Sequence, residues 1–307
     1  MMKIAEILIC TIALMTQVTV SFGQTLSVVN IDTDPKTIAL GFVDMVSDNV
    51  ESAVFGNPAM ISFSDFKATV SGSYCYWQPD VFKEHRSLWS GAYKINDRWA
   101  VTAGLANGIG SPYDMYGNDA EFLGKFTPLN FHFKAGASYK MLPYLSFGMD
   151  VGFVDNTLAP KSANMACLAD FFVMSSISDF KVAVGVRNVG VAWASDGTAL
   201  PDLPFVASAG AAYGTSFYKK HDVGIYAQYD FTGLDAMSTS IGTSYSYRNL
   251  FSVRAGGRLG YGKVRSLATL GWGLMLNSIE VNVAYVLPLR EMALSDTISV
   301  SVVYSIK

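Results

Sequence analysis

The stretch Thr297-Ile298-Ser299-Val300-Ser301-Val302-Val303-Tyr304-Ser305-Ile306 decides the fold class. Ile298, Val300, Val302, Tyr304 and Ile306 share one parity; Thr297, Ser299, Ser301, Val303 and Ser305 share the other. Side chains along a strand point alternately to opposite faces, so this segment offers one apolar wall and one wet wall. Leu145-Phe147-Met149-Val151-Phe153 does the same, with Ser146, Gly148, Asp150 and Gly152 between. Working outward from these two, fourteen alternating segments follow one another. They lie near 67–78, 88–95, 98–107, 131–141, 144–155, 165–175 and 180–189, then near 205–214, 221–231, 237–247, 250–260, 265–276, 279–287 and 296–306.

The links between them fall into two classes. Odd-numbered segments are followed by longer links at 79–87, 108–130, 156–164, 190–204, 232–236, 261–264 and 288–295. Even-numbered ones are followed by tight turns at Asn96-Asp97, Leu142-Pro143, Arg248-Asn249 and Asn277-Ser278, and by slightly longer ones at 176–179 and 215–220. An even strand count with short turns at one end and longer loops at the other is the pattern of an outer-membrane barrel. Strands of about ten residues at the usual tilt reach across a bilayer.

Composition agrees. Half of the 307 residues are hydrophobic and 15% are charged, with a mean hydropathy of +0.28. Past residue 24 no apolar run is long enough for a membrane helix, and closed barrels are the other way to satisfy every backbone group in lipid. A soluble all-β protein, a double sandwich or a repeat of hairpins, is the competing reading. It would turn the apolar faces inward, and Trp99, Trp272, Tyr229, Tyr245, Tyr247, Tyr285 and Tyr304 would then be core rather than interfacial girdles.

Residues 1–24 read as a secretory signal peptide: Lys3 precedes an apolar stretch from Ile7 to Val20, and Ser21-Phe22-Gly23-Gln24 suits processing. Cys75 and Cys167 fall on the first and sixth strands, which are not neighbours, so no disulfide is expected. The formal charge of −3 comes with no basic cluster, which argues against a nucleic-acid partner. Residues 25–65 do not alternate. Asp34 as cap and Pro35 in the first turn open a short helix carrying Ile38, Leu40, Phe42, Val43 and Val46, and a second apolar stretch runs from Val50 to Phe55. The expected organisation is a plug over 25–65 and a barrel over 66–307: an all-β, up-and-down antiparallel transmembrane barrel with a short helical N-terminal plug in its lumen.

If the apolar faces meet lipid, the lumen receives His132, Lys134, Lys140, Asp150, Lys181, Arg187, Asp230, Arg254, Arg258 and Glu280. Two roles compete for them: pairing with one another and with the N-terminal segment, or lining a substrate path. The small residues Gly136, Ser138, Ser146, Gly148, Gly152, Ser208, Gly210, Ser238, Ser240, Gly242 and Ser244 share that parity and leave room for a filler. The aromatic residues Tyr113, Tyr116, Phe122 and Phe126 make the link 108–130 either an external contact surface or a lid.

No catalytic constellation is visible. The two-residue spacing from His to Ser that an outer-membrane phospholipase would use is absent, because Lys134 follows His132 at that distance. Gly108-Ile109-Gly110 has neither a following helix nor a Lys-Ser/Thr. No catalytic, cofactor-binding or metal-binding residues are expected, and no cofactor.

The N-terminal residues carry a resemblance. Asp34-Pro35-Lys36-Thr37-Ile38-Ala39-Leu40-Gly41-Phe42-Val43-Asp44, followed by Val50-Glu51-Ser52-Ala53-Val54-Phe55-Gly56-Asn57-Pro58-Ala59, resembles the opening of the FadL-like outer-membrane proteins. Within them it looks most like the PorV/PorQ group of Bacteroidota. Ala39-Leu40-Gly41 and Ser52 to Ala59 match the order of that group's small-residue turn and its S-A-x-F-x-N-P-A run, whereas Phe42 departs from the usual second small residue. The resemblance implies a 14-stranded barrel in the outer membrane of a Gram-negative bacterium, with the N-terminal segment as a hatch. Gly56, Asn57 and Pro58 would form its turn, where Pro58 restrains Asn57 toward extended geometry.

The resemblance leaves several non-enzymatic functions open. The leading one is a PorV/PorQ-type role in type IX protein secretion or surface assembly, through binding of other envelope proteins. Uptake of hydrophobic, fatty-acid-like small molecules is the alternative, and an accessory subunit of an outer-membrane assembly complex a third. Uptake predicts an apolar inner pocket against the hatch and a strand kink. Partner binding predicts a polar lumen and a binding rim.

Overall fold

The alternation becomes a closed wall. A computed structural model of the chain describes residues 26, 29, 31–78, 83–160, 162–200, 203–289 and 297–307, so the expected signal peptide lies outside the described residues. The strands are β1 (Ala68–Trp77), β2 (Glu84–Lys94), β3 (Trp99–Ile109), β4 (Tyr113–Tyr116), β5 (Phe122–Phe126), β6 (Leu129–Leu142), β7 (Leu145–Ala159) and β8 (Ser162–Ile177). They continue as β9 (Phe180–Ala194), β10 (Val206–Phe217), β11 (His221–Gly233), β12 (Ala236–Tyr247), β13 (Phe251–Gly262), β14 (Leu267–Leu276), β15 (Ile279–Pro288) and β16 (Ile298–Ile306). All except β4 and β5 form one antiparallel barrel of fourteen strands in chain order. It closes where β1 meets β16, with Val70 opposite Tyr304.

Exposure decides which parity faces out. Val302 is 52% exposed, whereas its neighbour Ser301 is 1% exposed. Around the barrel Trp89, Val151, Ile225, Ile241, Leu270 and Trp272 stand exposed on the outer face. A continuous apolar exterior of this extent has no stable counterpart in water, so the wall is built for lipid. This removes the soluble alternative. The interior is occupied by the chain's own N-terminal residues, and the barrel core is the contact between the two.

Three expectations need correction. The link 108–130 is not a plain loop: β3 and β6 run to Ile109 and from Leu129, and β4 and β5 pair as a hairpin between them. The link 156–164 shrinks because β7 and β8 continue pairing as far as Ala159 and Ser162. The first helix, α1 (Pro35–Ala39), is capped by the Asp34 side chain but stops before Phe42. Gly41 and Phe42 both take left-handed backbone, with φ of 74° and 70°, and that conformation ends the helix.

The walls differ in height. β7, β8 and β9 have 15, 16 and 15 residues, against 10 in β14 and 9 in β16. The extra residues lie at the loop end, beside the β4–β5 hairpin.

Candidate functional site

The lumen is held by a plug whose fit depends on missing side chains. Inward glycines meet plug backbone directly. A Cβ on Gly256 would stand 2.2 Å from Gly41 N, one on Gly242 2.6 Å from Leu40 O, and one on Gly148 2.4 Å from Ala59 N. Gly210 similarly receives Met45 and Val46, and Gly104 receives Val54 and Phe55. Glycines on five strands therefore let the plug lie against the wall, three of them against its backbone and two against its apolar side chains. Val43, Met45, Val46, Val54 and Ile61 are fully buried. All but Val54 join a core with wall residues Phe172, Met174, Ala212 and Tyr226.

Polar contacts fix the register. The Gln228 side-chain carbonyl accepts from Asp44 N–H at 2.9 Å and from Met45 N–H at 3.0 Å, while its amide donates to Asp44 Oδ1 at 2.8 Å. Thr269 accepts from Gly41 N–H and donates to Ala39 C=O, both at 3.1 Å. Ser299 donates to Thr33 C=O at 2.6 Å. Burial pushes the Asp34 carboxyl up to about 6, with the nearby Glu51 charge adding to the rise. At neutral pH it remains an acceptor for Thr37 N–H and Asn49 Nδ2.

The ten charged or polar residues assigned to the lumen sit on inward faces, six of them against the plug. His132 meets the Phe55 ring edge-on, Lys140 stands over Phe63, and Arg258 lies 4.2 Å from the centre of the Phe42 ring. Lys181 pairs with Asp48, Arg187 with Asp44, and Glu280 with Lys36 at 2.6 Å. The other four serve wall pairs: Asp230 with Arg187, Arg254 with Glu280, and Lys134 with Asp150 and Asp170. At the plug turn Asn57 accepts from Ala59 N–H and donates to Met45 C=O at 2.8 Å. Pro58 opens the following 3-10 turn, η2 (Pro58–Phe63), after η1 (Ala53–Phe55). Gly56 packs its backbone against Asp44. Tyr113 meets Phe126 at a tilt and Tyr116 meets Phe122 edge-on across the hairpin, and the Tyr113 hydroxyl donates to Leu158 C=O.

Sequence reasoning missed Asp44, Asp48, Asp170, Gln228 and Thr269. It also missed a bulge in β9 whose signal was visible. Val182, Val184 and Val186 keep one parity, and Val189 and Val191 resume it after a spacing of three. Between them Arg187 and Asn188 face the single residue Asp170 of β8, with Asn188 left-handed at φ 61°. Asn188 N–H donates to Asp170 Oδ1 at 2.6 Å and its side-chain amide to Pro204 C=O at 2.9 Å. Beside the bulge an apolar cluster gathers Val154, Ala166, Leu168, Ala192 and Leu203 around Leu26 of the N-terminal segment.

Two cavities flank the plug. The vestibule at the loop end measures about 320 Å³ and reaches Asp34, Arg187, Arg258 and Lys263. The one at the turn end measures about 640 Å³ and reaches Asp48, Tyr226, Arg254 and Glu280.

No family model matches this sequence, and no curated protein does. Solved structures match strongly. The toluene transporter TodX of Pseudomonas putida has a TM-score of 0.58 at 16% identity, over 88% of this chain and 96% of its own. The fold is that of the FadL-like outer-membrane barrels. The toluene transporter TbuX of Ralstonia pickettii gives 0.60 at 13% identity, over 89% and 97% of the two chains. A FadL homologue of Pseudomonas aeruginosa gives 0.57 at 13%, over 90% and 99%. At these identities the likeness establishes the barrel, and the FadL-like resemblance read from Asp34 to Ala59 agrees with it.

Proposed function

We propose that this FadL-like barrel is a non-enzymatic outer-membrane channel for the uptake of hydrophobic small molecules. The observation that carries this reading is the adjacency at the loop end of β8 and β9. There the cluster around Leu168 and Leu203, closed by Leu26 of the N-terminal segment, lies beside the bulge at Asn188. An apolar contact between wall and hatch, packed closed here, and an irregularity in the adjoining strand are where uptake would open a path. A solute that parts this cluster and settles between wall and hatch gains about 25 cal/mol per Å² of apolar surface removed from water. The hydrocarbon and toluene transporters among the structural neighbours support the same class of solute.

The test is extraction of bound apolar compounds from the protein purified in mild detergent, followed by titration with toluene. Saturable binding that Leu168→Arg abolishes supports uptake; the absence of any saturable apolar binding contradicts it.

A second reading, the PorV/PorQ-type role in type IX secretion or surface assembly, is favoured by one observation. The hairpin β4–β5 presents Tyr116, Phe122 and Leu123 exposed above the rim. Stoichiometric envelope proteins retained in a native pull-down, and lost with Tyr116→Ser and Phe122→Ser, would support this role over uptake.

A further inference from the structure

The two cavities are separated unevenly. Two residues of the plug, Ser47 and Asn49, line both the vestibule and the turn-end cavity. At this point the septum is one irregular segment, Ser47-Asp48-Asn49, bent at Ser47 and Asp48, with no helix or strand to stiffen it.

Its polar atoms are unusually placed. Ser47, Asn49 and Asp34 are each 2% exposed. Yet Ser47 Oγ, Asn49 Oδ1 and Asp34 Oδ1 have no hydrogen-bond partner. The Asn49 amide orientation is fixed, because its Nδ2 donates to Asp34 Oδ2 and Thr37 Oγ1. What remains open is therefore oxygen, and a buried polar atom without a partner costs about 1–3 kcal/mol until something satisfies it.

The cations nearby are already engaged. Lys36 lies between Glu51 and Glu280, Arg254 bonds Asn282 and Glu280, and Lys181 is paired with Asp48. In the turn-end cavity Asp48, Asp179, Asp222 and Glu280 outnumber Lys36 and Arg254, whereas the vestibule carries Arg86, Lys134, Arg187, Arg258, Lys263 and Arg265 against four aspartates. The open acceptors of the septum and the acidic turn-end cavity select the same kind of visitor.

We propose that Ser47–Asn49 is a gate in the plug, and that it recognises a hydrogen-bond-donating cation of the ammonium or guanidinium class. The donor group takes the open oxygens of Asp34, Ser47 and Asn49 and passes between the two cavities as the segment swings aside. Recognition of a donor by these three oxygens is specific in a way that attraction of any cation to acidic groups is not. The inference rests on the barrel being a channel, but not on the hydrophobic class of solute proposed above.

The full-length protein in a planar lipid bilayer tests it, with methylguanidinium, tetramethylammonium and acetate as the probe ions. Methylguanidinium has donors and charge, and tetramethylammonium has charge alone. Expected is a methylguanidinium permeability about tenfold above that of tetramethylammonium, with acetate lower still. Ser47→Ala removes an oxygen that bonds nothing, so it leaves the plug intact and lowers methylguanidinium permeability selectively. In a Cys75→Ser, Cys167→Ser background, Asp48→Cys and Lys181→Cys joined by a short bis-maleimide would hold the segment to the wall and stop the current. Methylguanidinium current indifferent to that bridge, equal permeability of the two cations, or no current above that of protein-free bilayers overturns the proposal. Saturable toluene binding by the same preparation reports on uptake separately, so either reading can fail while the other stands.

Discussion

Gly256 shows how far single residues determine where the plug can lie. Its missing Cβ leaves the space that Leu40 and Gly41 occupy. Gly256→Val would force the plug backbone away at a cost of about 1–3 kcal/mol, the usual range for overpacking. The barrel should still assemble, because Gly256 pairs with Gly242 and Thr269 through backbone alone. The expected result is a raised ion conductance with unchanged heat-modifiable gel mobility. Gly214→Ala is the control, since its nearest neighbour would be 3.8 Å away. Charge works at the same scale. Asp44→Ala leaves Arg187 buried against Asp230 alone, and removing one partner of a buried pair costs about 3–5 kcal/mol. Faster protease cleavage within residues 34–64 of the folded barrel would register that loss. The inward parity of Arg187 and Asp230 was legible in the sequence. Their partner Asp44 was not, because nothing in an irregular segment says which wall it meets.

At the scale of elements the alternation carried nearly everything. β11 and β12 were expected at 221–231 and 237–247 and are found at His221–Gly233 and Ala236–Tyr247. Misreadings fall where an element departs from period two. Residues 108–130 hold a hairpin whose aromatic residues are exposed on both strands, so no alternation marks it. α1 is short because Gly41 and Phe42 turn left-handed, and the apolar spacing that continues to Val46 serves packing rather than a helix. The β9 bulge offers a sharp test. Deleting Asn188 removes the extra residue and leaves Val186, Val189 and Val191 in unbroken alternation, so Val191, 66% exposed to the outside, would keep its outward face while the bulge is lost. A Val191→Cys thiol in the cysteine-free background should stay lipid-accessible on that deletion, and a change to water-accessible labelling would contradict the bulge. Asn188→Gly keeps the left-handed backbone and should leave the labelling as it is.

For the molecule as a whole, the apolar exterior makes depth the governing variable. Ile241, in the middle of β12 and 55% exposed, should tolerate arginine poorly, at about 2–4 kcal/mol in a denaturant titration of the barrel in lipid. The same change at Tyr261, near the loop-end rim, should cost about 0–1 kcal/mol. Closure, strand number and the two-ended loop pattern could all be read before any coordinates, because lipid imposes one pattern on every strand. The lumen could not, because its residues answer to a plug whose path depends on contacts far apart in sequence, such as Thr269 with Gly41. The most direct measurement of the central claim is the entry of labelled toluene into cells with an intact outer membrane, with and without this protein. Uptake accelerated by the protein and returned to background by Leu168→Arg, at equal barrel levels in the membrane, is the predicted result. Uptake no faster than in cells lacking the protein would contradict it.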